Sequence, residues 1–127
     1  MKRIILIGFG VVVALLTFKA AAQTGNESIT GTWYAEELDQ SVIEVVTLED
    51  GSYEGVIKSS SKADYVSHKV LYDFEYDVEK NHFAGTISSA ARNMELDGTI
   101  VLEEDGRLKL VGKKFFMTKT FYWVRKN

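Results

Sequence analysis

The sequence predicts an all-β protein: a single eight-stranded antiparallel up-and-down barrel preceded by an N-terminal signal-peptide helix. Three observations predict this fold. After residue 28 apolar residues recur with a period of two, and no segment after Ala22 shows a helical period. Turn signals separate the apolar segments at short intervals, which favours hairpins between neighbouring strands. Eight such strands can remove their exposed edges by closing into a barrel.

The first 22 residues have the features of a secretory signal peptide. Met1-Lys2-Arg3 is a short basic start, residues 4–18 are an unbroken apolar run, and Ala20-Ala21-Ala22 is a small-residue cleavage site. The competing interpretation is a membrane anchor, but this run of about 15 residues is shorter than the ~20 that span a bilayer. We therefore expect a signal peptide over 1–22, a flexible leader over 23–28 and a periplasmic or secreted barrel domain over 29–127.

Composition restricts the function of the remaining chain. Cleavage leaves 127 − 22 = 105 residues, which is one domain. Without cysteine, its stability depends on burial and strand pairing, and thiol chemistry is excluded. The 15 − 3 = 12 basic and 18 acidic side chains give a formal charge of −6, which argues against nucleic-acid binding. We expect a monomer with no stable membrane insertion.

The strands follow one another between polar turns. Asp50-Gly51 and Asp105-Gly106 are strong tight-turn signals, and the polar segments 59–64 and 89–93 are the longer loops. The eight predicted strands cover residues 31–38, 42–48, 53–58, 65–78, 82–88, 94–102, 107–112 and 118–125. Glycine interrupts the third, fifth and sixth of these, which indicates bends or close backbone approaches.

The fourth predicted strand contains VLYDFEYDV and alternates strictly. One face is expected to point inward: Val66, His68, Val70, Tyr72, Phe74, Tyr76 and Val78. Thirteen residues would extend about 40 Å, which is too long for a small domain, so we expect a bend or a bulge near His68 to Val70.

The aromatic and polar residues of the inner face are the candidate ligand-binding wall. These are Tyr53, His68, Tyr72, Phe74, Tyr76, Phe83 and Met94, with His68 near the mouth of the barrel. An eight-stranded barrel can hold one small ligand or be filled by its own side chains. The pattern leaves both possibilities open.

The two ends of the chain are expected to meet, because the first and last strands of a closed meander are neighbours. Trp33 in the first strand would then stack beneath Arg125 in the last and plug one end of the barrel. A guanidinium over an indole ring contributes roughly 0.5–2 kcal/mol.

Four segments carry a resemblance to a known family: GTW at 31–33, residues 43–57, residues 97–112 and residues 118–125. Together they resemble small secreted bacterial proteins grouped as domain-of-unknown-function family 2147. G-x-W with a late arginine also resembles the lipocalin and fatty-acid-binding superfamily. The resemblance implies a lipocalin-like barrel and an exported location, but no established catalytic residues. The chain departs from the family pattern in two loops. The family's proline- and aspartate-containing insert is replaced by SSSKADYVSHK, and its D-P-x-x-G-K turn is replaced by SSAARNM.

No catalytic or phosphate-binding motif occurs, and His68 and His82 are too few for a typical zinc site. We therefore predict a non-enzymatic exported barrel without metal or cofactor that binds a small apolar or amphipathic ligand inside. The alternative is a filled-core barrel that acts through its surface as an envelope protein-interaction or inhibitor module. The acid-free segment from Arg107 to Asn127 would either pair with acidic neighbouring strands or dock on anionic lipid or lipopolysaccharide.

Overall fold

The computed structural model describes residues 29–126, and the predicted signal peptide and leader lie outside this range. The chain forms a closed eight-stranded antiparallel barrel in which each strand pairs with the next and the last with the first. The predicted all-β barrel is thus confirmed. The strands are β1 (Gly31–Ala35), β2 (Ser41–Thr47), β3 (Tyr53–Ser59), β4 (Lys69–Asp77), β5 (His82–Ser88), β6 (Glu95–Leu102), β7 (Leu108–Lys114) and β8 (Met117–Arg125).

One short 3-10 helix, Ala63–Tyr65, lies in the connection between β3 and β4. Within residues 29–126, no helix has the length and apolar character needed to cross a bilayer.

The barrel has a closed end, where β2, β4, β6 and β8 finish, and an open end, where β1, β3, β5 and β7 finish. Two closed-end hairpins contain the predicted Asp-Gly turns. Gly51 N donates to Leu48 O at 3.0 Å and Gly106 N donates to Glu103 O at 2.9 Å. Both glycines have φ near +90°, as expected after a type I turn in a three-residue hairpin loop. These tight turns leave little chain at the closed end.

Trp33 and Arg125 close this end from the first and last strands, and we call the pair the plug. The Trp33 ring is fully buried, and its Nε1 donates to Ile29 O at 2.9 Å. The Arg125 guanidinium carbon lies 4.0 Å from the Trp33 ring centroid, and Nη1 donates to Thr30 O at 2.6 Å. The two residues are also register partners across the β1–β8 seam, so the plug forms where the sheet closes on itself.

Large side chains fill the barrel between the plug and its middle. The Phe83 ring has edge contacts with Tyr53 and Tyr76, at centroid distances of 5.3 Å and 4.8 Å. Phe74 is fully buried against Gly85, where an added Cβ would lie 2.6 Å from Phe74 Cγ. The glycine in β5 thus makes room for the ring of β4, as expected where a strand approaches a neighbour closely.

Two bulges interrupt β4. The first lies at Val70, because Gly55 pairs with Leu71 while Val56 pairs with Lys69. Val70 and Leu71 are therefore both buried, although they are consecutive. The bulge predicted at this point is confirmed.

The second bulge lies at Asp73, which has a φ of +59°. On the β5 side, Tyr72 pairs with Thr86 and Glu75 pairs with Ala84. Between these two pairs β4 advances by three residues and β5 by two, so β4 contains one extra residue. A residue inserted into one strand reverses the alternation beyond it. Between the two bulges the alternation is therefore reversed, so Leu71 points inward and Tyr72 outward; after the second bulge Phe74 is again buried.

The expectation of one continuous inner face from Val66 to Val78 was therefore wrong. Val66 and Val78 are exposed, and Leu71, expected outside, is buried. Tyr72 lies on the outer face, where its hydroxyl donates to the Glu95 carboxylate. This hydrogen bond is the main cause that raises the pKa of Tyr72 above its ordinary value.

Candidate functional site

A cavity of about 240 Å³ opens at the end of the barrel opposite the plug, and we call it the mouth cavity. Its floor is apolar and buried. The floor residues are Val70, Ile87, Leu96, Leu110 and Trp123. Partly buried apolar groups continue the wall toward solvent: Leu38, Ala90, Met94 and Phe121. At the mouth cavity the barrel interior is therefore not filled by side chains.

Three local features aim side chains into the mouth cavity. Alternation along β8 turns Phe121 and Trp123 inward, and the first β4 bulge adds Val70. The 3-10 helix brings in Tyr65, whose N donates to Lys62 O at 2.9 Å and whose carbonyl accepts from His68 N at 3.0 Å. Tyr65 is buried although it belongs to a loop.

Hydrogen bonds fix one side of the rim. The Asp39 carbonyl accepts from the Ser61 amide at 3.0 Å, the Ser61 hydroxyl at 2.8 Å and the Ser60 hydroxyl at 3.1 Å. The Glu37 carboxylate accepts from Tyr122 N at 3.1 Å. The β1–β2 connection is therefore attached to the β3–β4 connection on one side and to β8 on the other.

His68 joins two rim connections. Its Nε2 lies 3.1 Å from both the carbonyl oxygen and the hydroxyl of Ser88, at the end of β5. His82 lies at the other end of the barrel, paired in register with Asp77. Within residues 29–126, no three His, Cys, Asp or Glu side chains are grouped to hold a metal ion.

The rim of the mouth cavity carries charges of both signs above the apolar floor. Arg92 and Lys119 supply the cations, and Glu37 and Asp39 supply the anions. The Glu37 carboxylate already accepts a backbone hydrogen bond. An apolar cavity with a few polar groups at its edge is the usual construction of a small-molecule site. The arrangement suits an amphipathic molecule.

Only one of the seven predicted wall residues lines the mouth cavity: Met94. His68 lies beside it through Ser88. Four others are packed deeper, between the cavity and the plug: Tyr53, Phe74, Tyr76 and Phe83. Tyr72 is on the outer face. Period-two alternation identifies the inward face but gives no height along the barrel axis.

Several residues of the mouth cavity were not predicted from the sequence. The alternation in TKTFYWVR could have identified Phe121 and Trp123 as inward-facing, because they lie two residues apart on one face of the strand. Tyr65 gave no such signal, because it follows a polar loop and reaches the cavity through a 3-10 turn. Arg92 likewise comes from a loop whose course the sequence does not specify.

A wider depression of about 660 Å³ lies on the outer face of β5, β6 and β7. Its lining includes Gly85 and Gly98, which are register partners. Its lining includes the charged residues Asp97 and Lys113, also register partners. This groove faces solvent and lacks a buried apolar floor, so the mouth cavity is the stronger candidate.

No known protein family, curated protein or solved structure matches the chain. The site is therefore interpreted from its own geometry. The resemblance to domain-of-unknown-function family 2147 stays a prediction.

Proposed function

We propose that this protein is an exported, non-enzymatic barrel that holds the apolar part of a small amphipathic molecule in the mouth cavity. The observation that carries the proposal is an apolar cavity, open to solvent, with Arg92 and Lys119 at its rim. Its 240 Å³ is just below the ~300 Å³ at which small-molecule sites begin. The occupant is therefore a short chain or a single ring, and its polar head group stays at the rim.

Export is part of the proposal and rests on the sequence. The basic start, the apolar run over 4–18 and the alanine cleavage site support a signal peptide. The resemblance to secreted proteins of family 2147 supports the same location.

Trp123 in the cavity floor provides the test. The chain has two tryptophans, so Trp33→Phe leaves Trp123 as the only reporter. Decanoate added to this protein should change the Trp123 emission saturably, and decyltrimethylammonium of the same chain length should bind more weakly. Lys119→Gln should weaken decanoate binding by about twofold to fivefold, the range of an exposed charge pair.

A matched pair of substitutions separates the cavity from the rest of the surface. Ala90→Phe places a ring in the cavity wall, and Ala84→Phe places the same ring on the exposed outer face of β5. Ala90→Phe should abolish saturation, and Ala84→Phe should leave the affinity unchanged. Loss of saturable decanoate binding in both variants contradicts the proposal. So does the absence of a saturable response in the Trp33→Phe protein without either substitution.

The filled interior at the closed end of the barrel favours a second candidate function. Tyr53, Phe74 and Phe83 occupy space that a deep ligand cavity would need. A barrel with this interior could act through its surface as an envelope protein-interaction or inhibitor module. A folded protein that binds neither amphiphile but forms a discrete complex with another envelope protein would favour this function.

A further inference from the structure

The connection between β7 and β8 exposes two large apolar side chains. Lys114 pairs with Met117, so Phe115 and Phe116 alone form the hairpin loop. Their side chains are 92% and 104% exposed. The rings therefore contribute nothing to the core, and they project from the open end of the barrel.

The backbone conformation of this loop is unfavourable for phenylalanine. Phe115 has a φ of +54°, a left-handed conformation that bulky residues rarely adopt. Two-residue hairpin loops favour Asn-Gly, Asp-Gly or Gly at such a position. Neither burial nor turn chemistry explains the two phenylalanines, which points to a role outside the folded chain.

Basic residues surround the rings. Lys113 and Lys114 precede them, Lys119 follows them, and the Lys114 ammonium lies 5.5 Å from the Phe115 ring centroid. Within residues 29–126, none of these three lysines forms a salt bridge. The chain has no Asp or Glu after Asp105. Arg107, at the start of this segment, forms ion pairs with Glu103 and Asp105 of its own turn.

We propose that this hairpin tip docks the open end of the barrel on an anionic membrane surface. Phe115 and Phe116 enter the boundary between head groups and acyl chains, and Lys113, Lys114 and Lys119 contact lipid phosphates. Aromatic groups flanked by lysines bind anionic bilayers by adding buried apolar area to charge attraction. The docking is peripheral, because only the loop enters the bilayer.

The shape of the tip favours a bilayer over a protein partner. A stable protein interface buries about 800 Å² on each side around anchors that fill pockets. Two rings at a convex apex form only a small part of such a surface. A fluid bilayer, by contrast, can accommodate a small protruding loop. The tip also lies at the same end as the mouth cavity, and Lys119 belongs to both. Docking would place the cavity entrance at the bilayer, but the proposal does not depend on ligand binding.

The chain has no cysteine, so a single introduced cysteine carries an environment-sensitive fluorophore at one chosen site. Thr118→Cys places the label on an exposed residue beside the tip, and Val78→Cys places it on an exposed turn at the closed end. With phosphatidylcholine vesicles that contain phosphatidylglycerol, the label at 118 should shift to an apolar emission. The label at 78 should not, and pure phosphatidylcholine should give a weak response at either site.

Two tip variants, each carrying the label at 118, test the apolar and the electrostatic contributions to vesicle binding separately. Phe115→Gly/Phe116→Asn suits the turn, so the barrel should stay folded while vesicle affinity falls at least tenfold, by loss of buried apolar area. Lys113→Gln/Lys114→Gln should lower the affinity about tenfold or more and reduce its salt dependence. This assay does not involve the mouth cavity, so its result is independent of the decanoate titration.

Three outcomes would overturn the docking proposal. They are an equal response at 78 and 118, unchanged binding in both tip variants, and an absent response with anionic vesicles. If the vesicles give no response but a crosslinker at 118 captures one discrete protein, the tip belongs to a protein interface instead.

Discussion

At the scale of single residues, the plug joins two types of stabilisation in one contact. The indole of Trp33 is buried, and its N–H has a backbone acceptor, so the ring enters the core without losing its hydrogen bond. Arg125 covers the ring from the solvent side and binds the chain that leads into β1. The contact therefore fastens the first strand to the last.

Trp33→Ala should lower the free energy of unfolding by about 3–5 kcal/mol, because it leaves a large cavity at the seam. Urea unfolding followed by circular dichroism measures the change. Tyr122→Ala is the matched control. Its ring also lies under a guanidinium, that of Arg107 at 4.3 Å, but on the exposed outer face, so its loss should cost less than about 1 kcal/mol. Equal effects of the two variants would show that Trp33 is not a plug.

At the scale of elements, β4 is the strand that departs most from simple alternation. Its bulges at Val70 and Asp73 bury Leu71 beside Val70 and leave Phe74 on the inner face, so the strand lines both the mouth cavity and the filled part of the barrel. Between them, Leu71 and Tyr72 take opposite faces from those expected. The bulges also shorten and bend a segment that would be too long for the barrel.

Asp73→Val should destabilise the protein by about 1–2 kcal/mol, since a β-branched residue is disfavoured at a positive φ. Glu75→Val makes a comparable change two residues away, at an exposed site with negative φ, and should be close to neutral. Urea unfolding of both variants gives the comparison. If Glu75→Val proved as destabilising as Asp73→Val, the loss would follow from the valine itself and not from the bulge.

The sequence was sufficient for the strand order, the turns at Gly51 and Gly106, and the inward face of most strands. It was insufficient where one residue changes the register. A bulge at Asp73 depends on the pairing of β4 with β3 and β5, which local alternation cannot reveal. Tyr65 shows the same limit, because tertiary contacts and not local pattern bury a loop residue.

At the scale of the whole molecule, the two ends of the barrel differ in every respect described above. The closed end has tight turns, the plug and a filled interior. The open end has the longer connections over 36–40, 60–68 and 89–94, the mouth cavity and the exposed phenylalanines. Loops positioned on a rigid scaffold commonly carry function. The filled closed end thus accounts for most of the core packing, and both proposed binding surfaces lie at the open end.

This division predicts a gradient of local stability along the barrel axis. Amide hydrogen exchange should be slowest in strand residues around the plug, such as Trp33, Ile43 and Leu108, because these pack in the filled half. Exchange should be fastest in the rim connection over 89–94. Decanoate should slow exchange in the rim connections and leave the closed-end turns unchanged, since it would occupy only the mouth cavity. Uniform protection without ligand, or a decanoate effect centred on the closed end, would contradict the assignment of stability to one end and binding to the other.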